Sequence, residues 1–171
     1  MQETYVEQIR KIIQNKRELE KELEVKITNR GKNVFVDGPA EKEYLAIKFL
    51  EAIDVGFSIE KALILKEENM MLHILNIRDI TKRNDLKRIR ARIIGTKGKT
   101  LSTLHSLTDC EISLHEKNIG IIGNSENIEN AIQAFKSLIL GSKQGNVYAR
   151  LEKEKKKKRL NISDLNIKKE L

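Results

Sequence analysis

The chain contains its own internal copy. Shifted by 85 positions, KITNRGKNVFVDGPAEKEYLAI (26–47) lies on EISLHEKNIGIIGNSENIENAI (111–132) without a gap. Seven positions are identical: Ile27/Ile112, Lys32/Lys117, Asn33/Asn118, Gly38/Gly123, Glu41/Glu126, Ala46/Ala131 and Ile47/Ile132. The register runs on to Gly56 and Gly141. Self-similarity of this kind marks one supersecondary unit built twice, so the 171 residues read as two small modules, not one larger domain.

Each copy predicts the same elements. Alternating apolar residues in VKI and NVFVDG, or in EISL and NIGIIG, flank a Lys-Asn turn and give a β-hairpin. A helix follows, entered through Pro39-Ala40-Glu41 or Asn124-Ser125-Glu126. Leu45, Phe49, Leu50 and Ile53, or Ile128, Ala131, Phe135 and Leu138, give it one buried face, and Gly56 or Gly141 ends it. Upstream lie helical stretches at 16–23 and 99–107. Further back in the second copy come a strand at 70–77 and a helix at 85–94. The order is strand, helix, helix, strand, strand, helix. The first copy offers only Thr4, Tyr5 and Val6 as its opening strand. Residues 56–69 read as a connecting helix that docks the modules, because Phe57, Ile59, Ala62, Leu63 and Leu65 are spaced to pack. The boundaries that follow are 1–69, 70–149 and a basic tail, 150–171. That tail is a helix losing its apolar face, anchored by Tyr148 and Leu151, and its KEKKKKR run is either a solvated end or an auxiliary phosphate-binding arm.

Charge is localised. Residues 1–65 carry 11 basic and 12 acidic side chains, whereas 82–99 hold Lys82, Arg83, Lys87, Arg88, Arg90, Arg92, Lys97 and Lys99 against Asp85 alone. Such density repels itself without an anion nearby, which points to phosphates. The single cysteine, Cys110, excludes an internal disulfide framework and a cysteine-rich metal site, and reads as a buried thiol. His73, His105 and His115 have no ligand spacing, and no nucleophile, base and acid stand together. We therefore expect no catalytic residues, no metal and no cofactor. No run of eighteen apolar residues occurs, and MQETYVEQIRKI lacks the order of a secretory signal, so the expectation is a soluble cytoplasmic chain.

The basic stretch ends in IIGTKGKT, which invites a nucleotide-triphosphate reading. A Walker loop with Gly98-Lys99-Thr100 at its end needs a glycine at 93, where Ile93 stands, and it needs an apolar strand before it, where a basic helix is predicted. What remains is Gly95-Thr96-Lys97-Gly98 between two helices. Glycines at both ends permit a tight turn and close approach of a sugar-phosphate backbone, with the positive end of the second helix facing outward.

A G-x-x-G loop between helices, followed by a hairpin and a helix, resembles a KH domain of the first type, whose loop clamps about four nucleotides of single-stranded nucleic acid. More narrowly, residues 93–141 with NVYARL after them, and GFSIEKAL after the first copy, resemble the Krr-like, partner-of-Nob (Dim-type) ribosome-assembly proteins of archaea and eukaryotes. The resemblance implies an α+β chain of two tandem type I KH domains (βααββα), each a three-stranded antiparallel sheet packed against helices, with a C-terminal helical tail. Leu101 stands where other members usually have an arginine, so one implied phosphate contact has no cation here. The 85-residue offset places Arg10-Lys11-Ile12-Ile13 opposite the loop, so the first copy lacks the clamp and reads as a degenerate module for support or protein binding.

The predicted RNA contacts are Gly95, Thr96, Lys97, Gly98, Lys99 and Thr100, with Arg88 and Arg92, which share a helix face, extending the basic track. The groove is expected between the loop, its two helices and the strand 110–115. Ile93, Ile94 and Ile112 either meet bases there or fill the core. The resemblance implies binding to the 3′ region of small-subunit rRNA, work beside the Nob-type endonuclease, and contact with the alpha subunit of translation initiation factor two. Two other readings stand beside it: a protein-interaction adaptor with incidental RNA affinity, and a helix-turn-helix DNA binder, which leaves the hairpin without a purpose.

Overall fold

The computed structural model describes residues 1–169. Two three-stranded antiparallel sheets, each backed by helices, make a KH-like α+β architecture. In chain order the elements begin with β1 (Gln2–Tyr5), α1 (Ile9–Gln14), α2 (Lys16–Leu23), β2 (Lys26–Arg30), β3 (Asn33–Asp37) and α3 (Ala40–Asp54). A short α4 (Ile59–Ala62) runs into a 3-10 turn at Leu63–Lys66. The second half holds β4 (Met71–Asn76), α5 (Ile77–Ile80), α6 (Leu86–Ile94), α7 (Lys99–Thr108), β5 (Glu111–His115), β6 (Asn118–Gly123), α8 (Ser125–Ile139) and α9 (Gln144–Lys169). Sheet orders are β1-β3-β2 and β4-β6-β5.

The 85-residue register holds from β2 through α3. It also extends further than the sequence identities do. Gly56 and Gly141 both turn at positive φ, +103° and +107°, and α4 starts at Ile59, 85 positions before the start of α9 at Gln144. The connecting helix and the tail helix are thus the same repeat element, one short and one long. The helical stretch expected over 56–69 is narrower, Ile59–Lys66. Upstream of α2 the offset fails: Arg10 to Ile13 lie inside α1, and the two helices of the first module meet at Asn15 alone. A one-residue joint needs no glycine and leaves no loop.

One core packs Ile27, Val34, Val36 and the α3 residues Phe49, Leu50 and Ile53; the other packs Ile112, Ile119, Ile121, Phe135 and Leu138. β3 alternates buried and exposed positions, as a half-covered strand should. β6 is buried from Ile119 through Gly123, because both faces of its sheet are covered. Ile119 and Ile121 face their own helices, whereas Ile122 and Leu72 pack into the first module's core. Ser113 Oγ on neighbouring β5 donates to the Val55 carbonyl at 3.1 Å, and Lys61 Nζ stands 2.8 Å from Glu111 Oε2. The modules are therefore docked, with the end of α3 and α4 seated on the outer face of the second sheet.

Gly120 marks the closest approach. A Cβ there would meet Val55 Cγ1 at 2.5 Å and Phe57 Cε2 at 2.6 Å. Gly120→Ala is expected to lower stability by about 1–3 kcal/mol in urea unfolding, the usual cost of overpacking. Gly145→Ala, a helical site with open space around it, should be neutral or stabilising by up to about 1 kcal/mol. Equal effects at both sites would argue against the docked junction.

Cys110 is fully buried and its thiol is pushed up to about 11 by desolvation, which keeps it neutral and inert near neutrality. Among the described residues no helix is long and apolar enough to cross a membrane, and no cluster of His, Cys, Asp or Glu is arranged to hold a metal ion.

Candidate nucleic-acid interface

α6 stops because Gly95 leaves helical geometry. Its φ of 74° with ψ of 177° lies in a region essentially closed to residues with a Cβ. Lys97 (φ 52°, ψ 31°) and Gly98 (φ 74°, ψ 11°) then turn left-handed in succession before α7 begins at Lys99. A left-handed lysine is uncommon, and here it throws the Lys97 side chain off the tip of the turn, where it is exposed along with Thr96 and Lys99.

The two glycines do different work. A Cβ on Gly95 would overlap Thr100, with Oγ1 at 2.2 Å, Cβ at 2.7 Å and the backbone nitrogen at 2.8 Å. Nothing lies within 4 Å of a Cβ on Gly98. Gly95 closes the turn inward upon α7, whereas Gly98 leaves the outward surface open beside the first turn of α7. The amides of that turn and its dipole favour an anion.

Two of the predicted contacts serve the loop from behind. Thr100 is buried, and its Oγ1 accepts from Gln144 Nε2 at 2.9 Å; the same amide lies 3.3 Å from the Arg92 carbonyl. The Arg92 guanidinium donates to the Gly141 carbonyl at 3.0 Å and also to that of Ser142, capping the end of α8. The corner between α8 and α9 thus grips both shoulders of the loop. Gln144 was not legible in the sequence, since nothing local marks a polar side chain whose partner lies 44 residues away. Gln144→Leu strands the buried Thr100 hydroxyl and should lower stability by about 1–3 kcal/mol, read as a shift in thermal unfolding, with a loosened loop visible as faster amide exchange at 95–99.

Arg88 is exposed on α6 and, with Lys97 and Lys99, enters no ion pair among the described residues. Arg88 and Arg92, expected on one face, are separated by that use of Arg92. Ile93 and Ile112 belong to the core, whereas half-buried Ile94 lines an apolar depression of about 590 Å³ with Leu86, Arg90 and Ala91. β5 is an outer strand with one edge unpaired; Ile112 and Leu114 face its own core, and Ser113 turns to the first module. On the other flank a cavity of about 460 Å³ is lined by Gly95, Thr96, Lys99, Thr103, Gln144 and Tyr148.

The first module keeps this cavity without its chemistry. A space of about 560 Å³ is lined by Asn15, Glu18, Ile59 and Leu63, which stand 85 positions before Thr100, Thr103, Gln144 and Tyr148. Glu18 and Glu60 line it, along with Lys11. Two carboxylates and one cation line it, where the charged residues lining the second module's cavity are Arg92 and Lys99, so its potential favours an anion less.

A G-x-x-G joint between two helices, set on a three-stranded antiparallel sheet with a third helix packed beside them, defines a KH module of the first type. Residues 71–156 match the family model described as a eukaryotic type KH-domain (KH-domain type I), in the form found second in PNO1. The chain belongs to the PNO1/Dim2-like family of KH-domain proteins. It is 31% identical over 149 residues to a KH domain-containing protein of Methanocaldococcus jannaschii, covering 83% of this chain and 66% of that one. It is 33% identical over 137 residues to the pre-rRNA-processing protein pno1 of Schizosaccharomyces pombe, covering 75% and 57%. Among solved structures, the a/eIF2alpha-aDim2p-rRNA complex of Pyrococcus horikoshii holds a chain of 33% identity that superposes with a TM-score of 0.84, over 91% of this chain and 94% of that one. The chain spans less than two thirds of the length of the curated relatives named here.

Proposed function

We propose that this chain binds single-stranded RNA, the 3′ region of small-subunit rRNA, through the Gly95–Gly98 loop, and that it acts in small ribosomal subunit assembly in the cytoplasm. The observation that carries the reading is the loop itself: an open outward face at Gly98, a left-handed Lys97 and exposed Lys99 beside a helix start. Thr96, Lys97, Lys99 and Arg88 contact phosphates, while Arg92 and Thr100 hold the loop in shape through Gly141 and Gln144. No step of this function needs a catalytic residue or a cofactor.

In this reading the chain is two tandem type I KH domains. Residues 1–69 are a degenerate one without G-x-x-G, together with the connecting helix; 70–149 are the RNA-binding one, and 150–171 a basic C-terminal tail. The shared 85-residue register and the matching sheet orders support that division. The names of the S. pombe relative and of the P. horikoshii complex support rRNA as ligand and the initiation factor two alpha subunit as a partner. The Nob-type endonuclease is the other partner, and the first module, with its acidic cavity, is a surface for protein.

Crosslinking the protein to RNA in cell extract and sequencing the attached fragments tests this. Enrichment at the 3′ end of small-subunit rRNA is expected. Scattered fragments without that enrichment would instead favour an adaptor with incidental RNA affinity.

A further inference from the structure

Helix α9 leaves the second module as its most basic element, with six cations and one carboxylate between Lys153 and Arg159. Those cations divide by what they face. Lys155 bonds the Ser106 carbonyl and Asp109, Lys158 reaches Asn127 and Glu126, and Lys157 pairs with Glu154. Lys153, Lys156 and Arg159 enter no ion pair among the described residues. These three lie three residues apart, so they share one side of the helix. With Lys155 and one carboxylate, Glu152, they line a groove of about 630 Å³ against Leu107 of α7 and Ala149.

This groove continues the loop site. α7 and α9 run side by side in the same direction: Lys99 and Thr103 face Gln144 and Tyr148 at the loop end, Leu107 faces the α9 cations further on, and Lys155 meets Asp109 where α7 ends. From Tyr148 to Arg159 the track is about 16 Å long at the rise of an α-helix. It presents Lys99, then Tyr148, then Lys153, Lys156 and Arg159, with Glu152 as the one carboxylate lining the groove against these three cations. Cations spaced along a shallow channel that opens at a phosphate-binding turn suit the backbone of a single strand passing through both.

We propose that the α7–α9 groove is a second contact for the same RNA strand, in which Lys153, Lys156 and Arg159 hold phosphates beyond the nucleotides gripped at Gly95–Gly98. The proposal rests on the loop reading and lengthens its footprint. It assigns the basic run to an RNA arm and not to a solvated end.

The test is a binding series with 3′-terminal fragments of small-subunit rRNA, from about five to about twenty nucleotides and trimmed from either end. Wild-type affinity should keep rising with length after a K153E/K156E/R159E variant has reached its plateau. The two should agree on the shortest fragment that binds. On the longest fragment the variant should lose about tenfold or more, and its salt slope should fall by about 2, the share of three phosphates on a single strand. A K153Q/K156Q/R159Q variant, with helix content checked by circular dichroism, should fall between. A triple variant that follows the wild type at every length overturns the proposal. A loop variant, Lys97→Asp/Lys99→Asp, that binds the shortest fragment like the wild type overturns the loop reading instead, and a wild-type chain that binds no fragment overturns both.

Discussion

Gly95→Ala is expected to be the most damaging single-atom addition in the second module, costing about 2–6 kcal/mol. Two penalties combine. A Cβ in this φ/ψ region carries strain of about 1–3 kcal/mol, and the added carbon overlaps Thr100 at its side chain and its backbone nitrogen, an overpacking of about 1–3 kcal/mol. Neither can relax cheaply, since Thr100 is buried and held by Gln144. Gly98→Ala is the control. It pays only for a left-handed backbone, about 1–2 kcal/mol, with open space around the new carbon. Urea unfolding should rank Gly95→Ala well below Gly98→Ala. RNA affinity should reverse the usual reasoning about glycine loops: at Gly95 binding is lost because the turn is lost, whereas at Gly98 a folded loop binds less well because its open face is obstructed. Similar stabilities for the two variants would mean that the inward overlap is not a constraint on this chain.

What the sequence made legible follows the repeat. Hairpins and long helices sit where the 85-residue register put them, because alternation and helical spacing are set by burial and survive divergence. The joint between the first two helices does not survive it, since a one-residue turn at Asn15 and a four-residue loop at Gly95 satisfy the same packing. Composition alone identified the basic stretch, yet it gave every cation the same meaning. The structure separates them: Lys97 and Lys99 face outward, while Arg92 is committed to the end of α8. Thr100 shows the same limit, for its hydroxyl reads as a phosphate contact until Gln144 is seen to occupy it. NIGIIG read as an alternating strand because nothing local says that Val55 and Phe57, more than sixty residues earlier, cover its second face.

The docking also bears on how the site works. Because α3 and α4 seat on the second sheet, the first module braces the platform that carries the loop, and its own first two helices meet at Asn15 with no glycine turn between them. Its cavity, equivalent in position, is lined by Glu18, Glu60 and Lys11 where the second module's is lined by Arg92 and Lys99, so in the proposed reading the chain has one binding loop. RNA affinity should therefore respond to charge at the second module's loop and hardly at all to charge at α1 and α2 of the first.

The central claim is that the Gly95–Gly98 loop holds the backbone of a single RNA strand. Its most direct test replaces both lysines, Lys97→Asp/Lys99→Asp, and measures affinity for a single-stranded fragment of the 3′ end of small-subunit rRNA across a salt series, with circular dichroism to show that the fold persists. Both side chains are exposed and unpaired among the described residues, so stability should change little. Affinity should fall about a hundredfold at low salt, and the slope of log affinity against log salt should shrink by about 1.4, the share of two phosphates on a single strand. A folded variant that binds this RNA as tightly as the wild type, with an unchanged salt slope, would contradict the claim.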